Sequence, residues 1–260
     1  MKEQAKTLIR KIPGPRRIAR AYKNFAGELR VRRQMAEFAR MPQADPARLS
    51  LLAADSYFCL RENTGETAFD RHYIFHTAWA ARVLAKTRPV RHIDVGSSLY
   101  FSAITSAFMD IEFLDYRPAD LGLKGLASGF GDLLALPYPD NSIASLSCMH
   151  VIEHVGLGRY SDPLDPDGDL KSLRELERVV APRGKLLLVV PLAARPRIEF
   201  NAHRIYSYRM IIDACSGLEL RQFALIPDSA DDGNLVLDAD PKLIERQNYA
   251  CGCFWFEKKA

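Results

Sequence analysis

From residue 92 to the C-terminus, short aliphatic runs alternate with amphipathic helical stretches, and this alternation leaves few folds open. Residues 92–95, 111–115, 143–149 and 185–190 read as strands, the last as a short, central, aliphatic one. Residues 103–109 and 169–180 read as helices, the second with Leu170, Leu173, Leu176 and Val180 near one face. Pro182-Arg183-Gly184 is expected to turn the chain into the strand that follows. A helix over 206–214, a strand over 218–225 and a closing strand over 249–257 complete the series. One more helix, over 69–87, precedes the first strand, and Pro89 stops it. Repeated βα units of this kind predict a parallel sheet covered by helices on both faces.

Sheets of that type bind ligands at the carboxyl ends of their strands. Three acids fall at such ends or junctions, Asp94, Asp115 and Asp132, separated by 21 and 17 residues. The first opens the turn Asp94-Val95-Gly96-Ser97-Ser98, where a glycine lets backbone N–H groups approach a ligand. A full GxGxG loop would carry glycines at Ser98 and Tyr100. An acid at the second strand end suits the vicinal hydroxyls of a ribose. An acid at the third can accept from the exocyclic amine of adenine. The first can take an ammonium while the turn takes a carboxylate. S-adenosylmethionine has all of these parts, and it has no pyrophosphate to cradle, so it tolerates a loop with fewer glycines. Each aspartate, taken singly, is also an ordinary strand-end or capping residue.

Leu136-Pro137-Tyr138-Pro139-Asp140-Asn141-Ser142, followed by Cys148-Met149-His150-Val151-Ile152-Glu153-His154, resembles the third and fourth motifs of class I S-adenosylmethionine-dependent methyltransferases. Ala181-Pro182-Arg183-Gly184 before residues 185–191 resembles the turn and fifth strand of the same superfamily. The resemblance covers about residues 70–258. It implies a Rossmann-like seven-stranded sheet, mostly parallel with the last strand antiparallel, and helices on both faces. It implies cofactor contacts from Asp94, Gly96, Ser97, Ser98, Asp115, Asp132, Leu133 and Cys148. Three further segments are similar to an uncharacterised methyltransferase-like branch known under a domain-of-unknown-function label, with members near bacterial glycan genes. These are Gly156-Leu157-Gly158-Arg159-Tyr160, the acidic run from Asp162 to Asp169, and Phe200-Asn201-Ala202-His203-Arg204-Ile205-Tyr206.

The segments 156–169 and 200–206 follow the fourth and fifth strands, so they are expected to flank the mouth of the cleft. Arg159, Tyr160, Asp162, Asp165, Asn201 and Arg204 are the expected acceptor-binding residues. The two arginines suit an anionic group, and the carboxylates suit sugar hydroxyls. The four aspartates of the loop, Asp162, Asp165, Asp167 and Asp169, would also suit a metal if their oxygens converged, while Asp167 or Asp169 serves as a helix cap in the structural reading; no metal-ligand set is assigned. A hydroxyl acceptor calls for a base in the histidine range. His203 and His150 are ranked ahead of His154, while His72 and His76 read as lid contacts or as surface or core residues. The expected activity is O-methylation of a saccharide or glycan precursor. The alternative is a non-catalytic protein of the same fold acting in a glycan-synthesis assembly.

The chain length fits one large domain with an appendage, here a basic helical extension over 1–45 and a methyltransferase-like domain over 46–260. Residues 1–41 carry twelve Lys and Arg against three Glu, a net of +9, so a chain of net +4 leaves −5 for the remainder. Apolar residues recur through that arm at helical spacing: Ile18, Tyr22, Phe25, Leu29, Met35 and Phe38. The Ile12-Pro13-Gly14-Pro15 sequence is expected to break it. Such an arm suits a partner subunit, its own domain or an anionic membrane surface. No nucleic-acid partner is expected, because the body lacks a matching basic face. The five scattered cysteines suit reduced thiols. With no secretory signal and no spanning segment, the expected location is cytoplasmic, with peripheral association at the inner face of the membrane as an option.

Overall fold

The computed structural model describes residues 15–42, 49–60 and 62–260, with side chains described from Tyr22 onward. The expected break at 12–15 and the expected boundary at 45/46 lie outside those residues, except for Pro15. The chain divides into two compact units, 1–68 and 69–260. In the first, helix α1 (Pro15–Phe38) begins on a proline, whose fixed φ suits a first helical turn. Ser56 Oγ donates to Met35 Sδ (3.2 Å) and Arg32 lies over the Phe58 ring, so residues 56–58 pack on α1. Within this unit Tyr22, Phe25 and Phe38 stay exposed. Among the described residues no helix is long and apolar enough to cross a membrane.

The second unit holds an eight-stranded sheet. Its strands are β1 (Arg91–Val95), β2 (Asp110–Asp115), β3 (Leu126–Phe130), β4 (Ile143–Met149), β5 (Val180–Leu192), β8 (Leu218–Ile226), β9 (Val236–Leu237) and β10 (Ala250–Lys258). Their spatial order is β3-β2-β1-β4-β5-β10-β8-β9. Neighbours from β3 to β5 run parallel, whereas β10 is antiparallel to both β5 and β8. The helices are α2 (Arg71–Thr87), α3 (Leu99–Thr105), α4 (Gly168–Val179) and α5 (Tyr208–Ala214). A separate hairpin pairs β6 (Arg197–Glu199) with β7 (His203–Ile205).

Four details differ from the sequence expectation. The sheet has an eighth strand, the two-residue β9 at its edge. β3 was not expected, because Leu126-Ala127-Ser128-Gly129-Phe130 has little aliphatic character. The helix expected over 103–109 starts at Leu99, one residue after Ser98. Pro182-Arg183-Gly184 lies inside β5 at an irregularity in its pairing with β4, with Arg183 at φ 61°.

Two apolar layers cover the sheet. α4 brings Leu173, Leu176 and Val179 against the face that holds Leu146, Leu186 and Leu188. α2 brings Trp79, Ala80, Val83 and Leu84 against Met149, Val189 and Cys251 on the other. The Asp70 side chain caps α2 by accepting from Tyr73 N. That cap fixes the N-terminal turn of α2, which carries His72 and Tyr73.

Two buried histidines make the domain acid-sensitive. His92 Nε2 and Nδ1 bond Ser147 Oγ (2.9 Å) and Ser145 Oγ (2.8 Å), and His76 Nδ1 bonds the His72 carbonyl. Burial lowers both to about 3. An unfolded chain takes up these protons near pH 6.5, whereas the folded one does so only near 3. Stability is therefore present above pH 6.5 and lost as pH falls through that window. Each histidine contributes a slope of about 1.4 kcal/mol per pH unit inside it. Urea midpoints measured at pH 7 and pH 4.5 should show a smaller acid loss for His92→Gln than for wild type, despite its lower stability at pH 7.

Candidate active site

β1 lies between β2 and β4, so the chain leaves its carboxyl end in one direction toward β2 and later returns on the other side as β4. That switch point opens a crevice, and two cavities occupy it. The smaller, about 290 Å³, is lined by Gly96, Asp115, Asp132, Leu133, Val151 and Val155 among others. The larger, about 1070 Å³, is lined by α2, the segment after β4, residues 200–203 and Tyr249. Three side chains line both: His150, His154 and Tyr160.

In the smaller cavity, Gly96 has φ +66°, and a Cβ there would stand 3.0 Å from Val151 Cγ1 and 3.7 Å from Asp115 Oδ2. A side chain would fill the space beside that carboxylate oxygen. Asp115 Oδ1 accepts from Arg117 N (2.7 Å), which orients the carboxylate. Asp132 Oδ1 accepts from Leu134 N (2.8 Å) in the same kind of turn. Val95, Leu133, Val151 and Val155 supply apolar walls. Two oriented carboxylates about an apolar slot match the ribose and adenine of a nucleoside.

Asp94 does not line this cavity. It is fully buried and accepts from Ser102 Oγ (2.6 Å) and Ser147 Oγ (2.5 Å). Burial pushes its carboxyl upward, against the pull of those serines and of Ser97. It therefore braces β1 against α3 and β4 rather than meeting a ligand ammonium. Ser97 accepts from Met149 N (3.0 Å) and ties the turn to β4. Ser98 precedes α3, and Cys148 is buried in the core. Neither they nor Ser97 line the cavity.

The segment after β4 carries the titratable groups. His150 has φ 59° and is buried, with Nδ1 2.8 Å from Glu153 Oε1. Burial lowers the histidine and raises the carboxyl. Among the described residues, His150 Nε2 and Glu153 Oε2 are buried without hydrogen-bond partners. The His150 ring stacks on His72 at 5.4 Å and on Tyr73 at 5.7 Å. Tyr249 in turn stacks on His72 and on His203, each at 5.1 Å. The Ala202 carbonyl accepts from His154 Nδ1 (2.6 Å) and from Arg159 Nη1 (3.0 Å). That contact assigns the proton of a neutral His154 to Nδ1 and leaves a lone pair on Nε2. His203 lines the larger cavity alone and pairs with Glu199 at 3.3 Å.

Among the expected acceptor residues, Arg159, Tyr160 and Asn201 do line the larger cavity. The guanidinium groups of Arg117 and Arg159 lie over the Tyr160 ring, 4.4 Å and 5.2 Å from its centroid. Asp162 reaches the smaller cavity, but its carboxylate accepts from Gly156 N and Tyr160 N and so shapes the loop. Asp165 and Arg204 line neither of these cavities. Asp165 pairs with Lys171. Arg204 is buried and donates to the carbonyls of Val155 (2.6 Å), Asp165 (3.1 Å) and Pro166 (3.1 Å), with Asp169 3.5 Å from Nε. It closes the 156–169 loop instead of binding an anion. Gly156 completes that closure, since a Cβ there would stand 2.1 Å from the Asp165 carbonyl at φ +81°. Arg204→Ala would strip the Val155 and Pro166 carbonyls of the arginine's hydrogen bonds and leave the Asp165 carbonyl with Gly168 N and the Asp169 carboxylate with Tyr206 Oη, with an expected loss of about 2–3 kcal/mol in urea unfolding.

His72, Tyr73 and Tyr249 are the parts of the larger site that sequence reasoning missed or left open. His72 and His76 recur at i, i+4 at the start of a helix, a signal for a shared face. Tyr249 sits just before β10, with no pattern to mark it.

The sheet order, with β10 reversed between β5 and β8, defines the class I methyltransferase fold. A solved structure of 1,6-didemethyltoxoflavin-N1-methyltransferase from Burkholderia thailandensis, with its substrate and S-adenosylhomocysteine, is similar at a TM-score of 0.50 and 10% identity. The match covers 72% of this chain and 79% of that one. The N-methyltransferase NodS from Bradyrhizobium japonicum, with S-adenosylhomocysteine, is similar at a TM-score of 0.48 and 10% identity, covering 71% and 86% of the two chains. A TehB-like S-adenosylmethionine-dependent methyltransferase from Corynebacterium glutamicum gives 0.48 and 16%, covering 72% and 89%. The family model described as "Caenorhabditis protein of unknown function, DUF268" matches residues 140–222. That stretch contains β4, the 156–169 loop and the 200–206 segment. No curated protein matches the chain in sequence.

Proposed function

We propose that the chain is an S-adenosylmethionine-dependent O-methyltransferase acting on a saccharide or glycan precursor. The observation that carries this reading is the pair of adjoining cavities with His150, His154 and Tyr160 in the wall between them. Solved proteins of the fold bind S-adenosylhomocysteine, as their descriptions state. The residues of the smaller cavity fit that group: Asp115 Oδ2 stands beside the space that Gly96 leaves open, and Asp132 closes an apolar slot. When bound, S-adenosylmethionine supplies an electrophilic methyl on a sulfonium.

The chain's own residues then have three tasks. Asp115 would accept from ribose hydroxyls, and Asp132 with Leu133 would hold the base. The larger cavity orients the acceptor. Phe200 and Tyr73, both exposed, offer aromatic surface to sugar rings, and Arg71 and Arg159 offer charge to a phosphate or carboxylate on the acceptor. With the cofactor bound, His154 Nε2 would hold and accept the proton of the acceptor hydroxyl. Glu153 Oε1 lies 3.9 Å from that nitrogen and stabilises the imidazolium. His203, ranked first from sequence, lines only the larger cavity and serves the acceptor instead. Much of the rate comes from holding the reactants in line.

The test is methyl transfer from isotopically labelled S-adenosylmethionine to a panel of neutral saccharides, phosphorylated saccharides and amines. Label on a saccharide oxygen, strongest on the anionic members, is expected. Label on amines alone contradicts the acceptor assignment. Cofactor binding without transfer to any member contradicts the enzyme reading and favours a non-catalytic partner of the same fold.

A further inference from the structure

Three groups to which the methyl-transfer reading gives no chemical step come together at the larger cavity: His72 and His150, which line it, and Cys251, which is buried in the core. One ligand atom each from His72, His150 and Cys251 lies within 4.8 Å of the others. They come from three separate elements, the first turn of α2, the residue after β4 and the second residue of β10. Two imidazole nitrogens and a thiolate form a borderline-soft donor set, the kind that selects zinc over magnesium or calcium.

A second observation points to a ligand independently. His150 is buried, and its Nε2 has no hydrogen-bond partner among the described residues. A bare buried nitrogen is costly unless something meets it. Its other nitrogen donates to the Glu153 carboxylate at 2.8 Å. Metal-binding histidines characteristically make this outer contact, which fixes the ring and raises its basicity. His72 is held as well, stacked on Tyr249 at 5.1 Å. Cys251 is a free thiol and fully buried.

We propose that His72, His150 and Cys251 bind a divalent transition-metal ion, zinc by donor set, with a fourth position open to the acceptor cavity. His72 and His150 both line that cavity, whereas Cys251 closes the site from the core. Three protein ligands with one open position is the pattern of catalytic rather than structural zinc. An acceptor hydroxyl in the fourth position would lose its proton more readily. That role rests on the methyl-transfer reading; the metal site itself does not.

Full-length protein stripped with chelator is titrated with Zn²⁺ by calorimetry and with Co²⁺ by absorption spectroscopy. One equivalent of each is expected to bind, with a thiolate-to-cobalt charge-transfer band. Cys251→Ser should abolish the band, His150→Ala should weaken Zn²⁺ at least tenfold, and Glu153→Gln should weaken it about 10–100-fold. Cys251→Ser is nearly isosteric, so circular dichroism should show it folded. Absence of binding, or a cobalt spectrum unchanged by Cys251→Ser, overturns the proposal. S-adenosylhomocysteine binding is measured on stripped and loaded samples alike. Metal binding without cofactor binding leaves this site standing and removes the methyl-transfer reading; the reverse result removes this site alone.

Discussion

His154→Ala should lower kcat about 10²–10⁴-fold, the range for loss of a positioned general base, while cofactor affinity stays within a few-fold of wild type. The split follows from geometry. His154 lies in the wall between the cavities, with Nδ1 fixed on the Ala202 carbonyl and the lone pair therefore on Nε2. The pH profile carries a second mark. Burial lowers His154; Glu153 and the Ala202 carbonyl oppose that shift, whereas Arg159 and His150 add to it. A base that loses its proton more easily stays active to lower pH. The acid limb of kcat should therefore fall below the ordinary histidine value of about 6.5. A steady-state profile from pH 4.5 to 8 checks it. A limb above 6.5, or a variant with unchanged kcat, would remove His154 from the role of base.

Asp115→Ala should weaken S-adenosylmethionine about 100-fold. Two hydrogen bonds from ribose hydroxyls to a carboxylate, at about 1.5 kcal/mol each, give about 3 kcal/mol, or two decades of affinity. The carboxylate is oriented by Arg117 N, and Gly96 leaves the approach to Oδ2 open. Asp94→Asn should act differently. Asp94 is held by Ser102 and Ser147 inside the core, so its loss should lower stability more than affinity. Equilibrium dialysis with labelled cofactor, beside urea unfolding of both variants, separates the two. Equal affinity losses would place both acids in the same role.

The architecture was legible because strand and helix periodicity survive in single segments. Residues 92–95, 111–115 and 143–149 lie within or on β1, β2 and β4. β3 was not legible because its contribution comes from parallel pairing with β2 rather than from its own aliphatic content. Strand-end acids could be located but not told apart. Asp115 and Asp132 face the cavity, while Asp94 turns inward because serines 8 and 53 residues away meet it. No local pattern encodes such partners. Arg204 was misread for the same reason, since its three carbonyl partners come from the loop after β4. Glu153 and His154 were visible in the motif after β4, yet the Ala202 carbonyl that fixes the His154 tautomer comes from 48 residues away.

Calorimetric titration of the full-length protein with S-adenosylhomocysteine, with NAD as the control, tests the central claim most directly. Saturable one-to-one binding of S-adenosylhomocysteine and none of NAD is the expected result. No heat at millimolar S-adenosylmethionine or S-adenosylhomocysteine, or preferential binding of NAD, would contradict it.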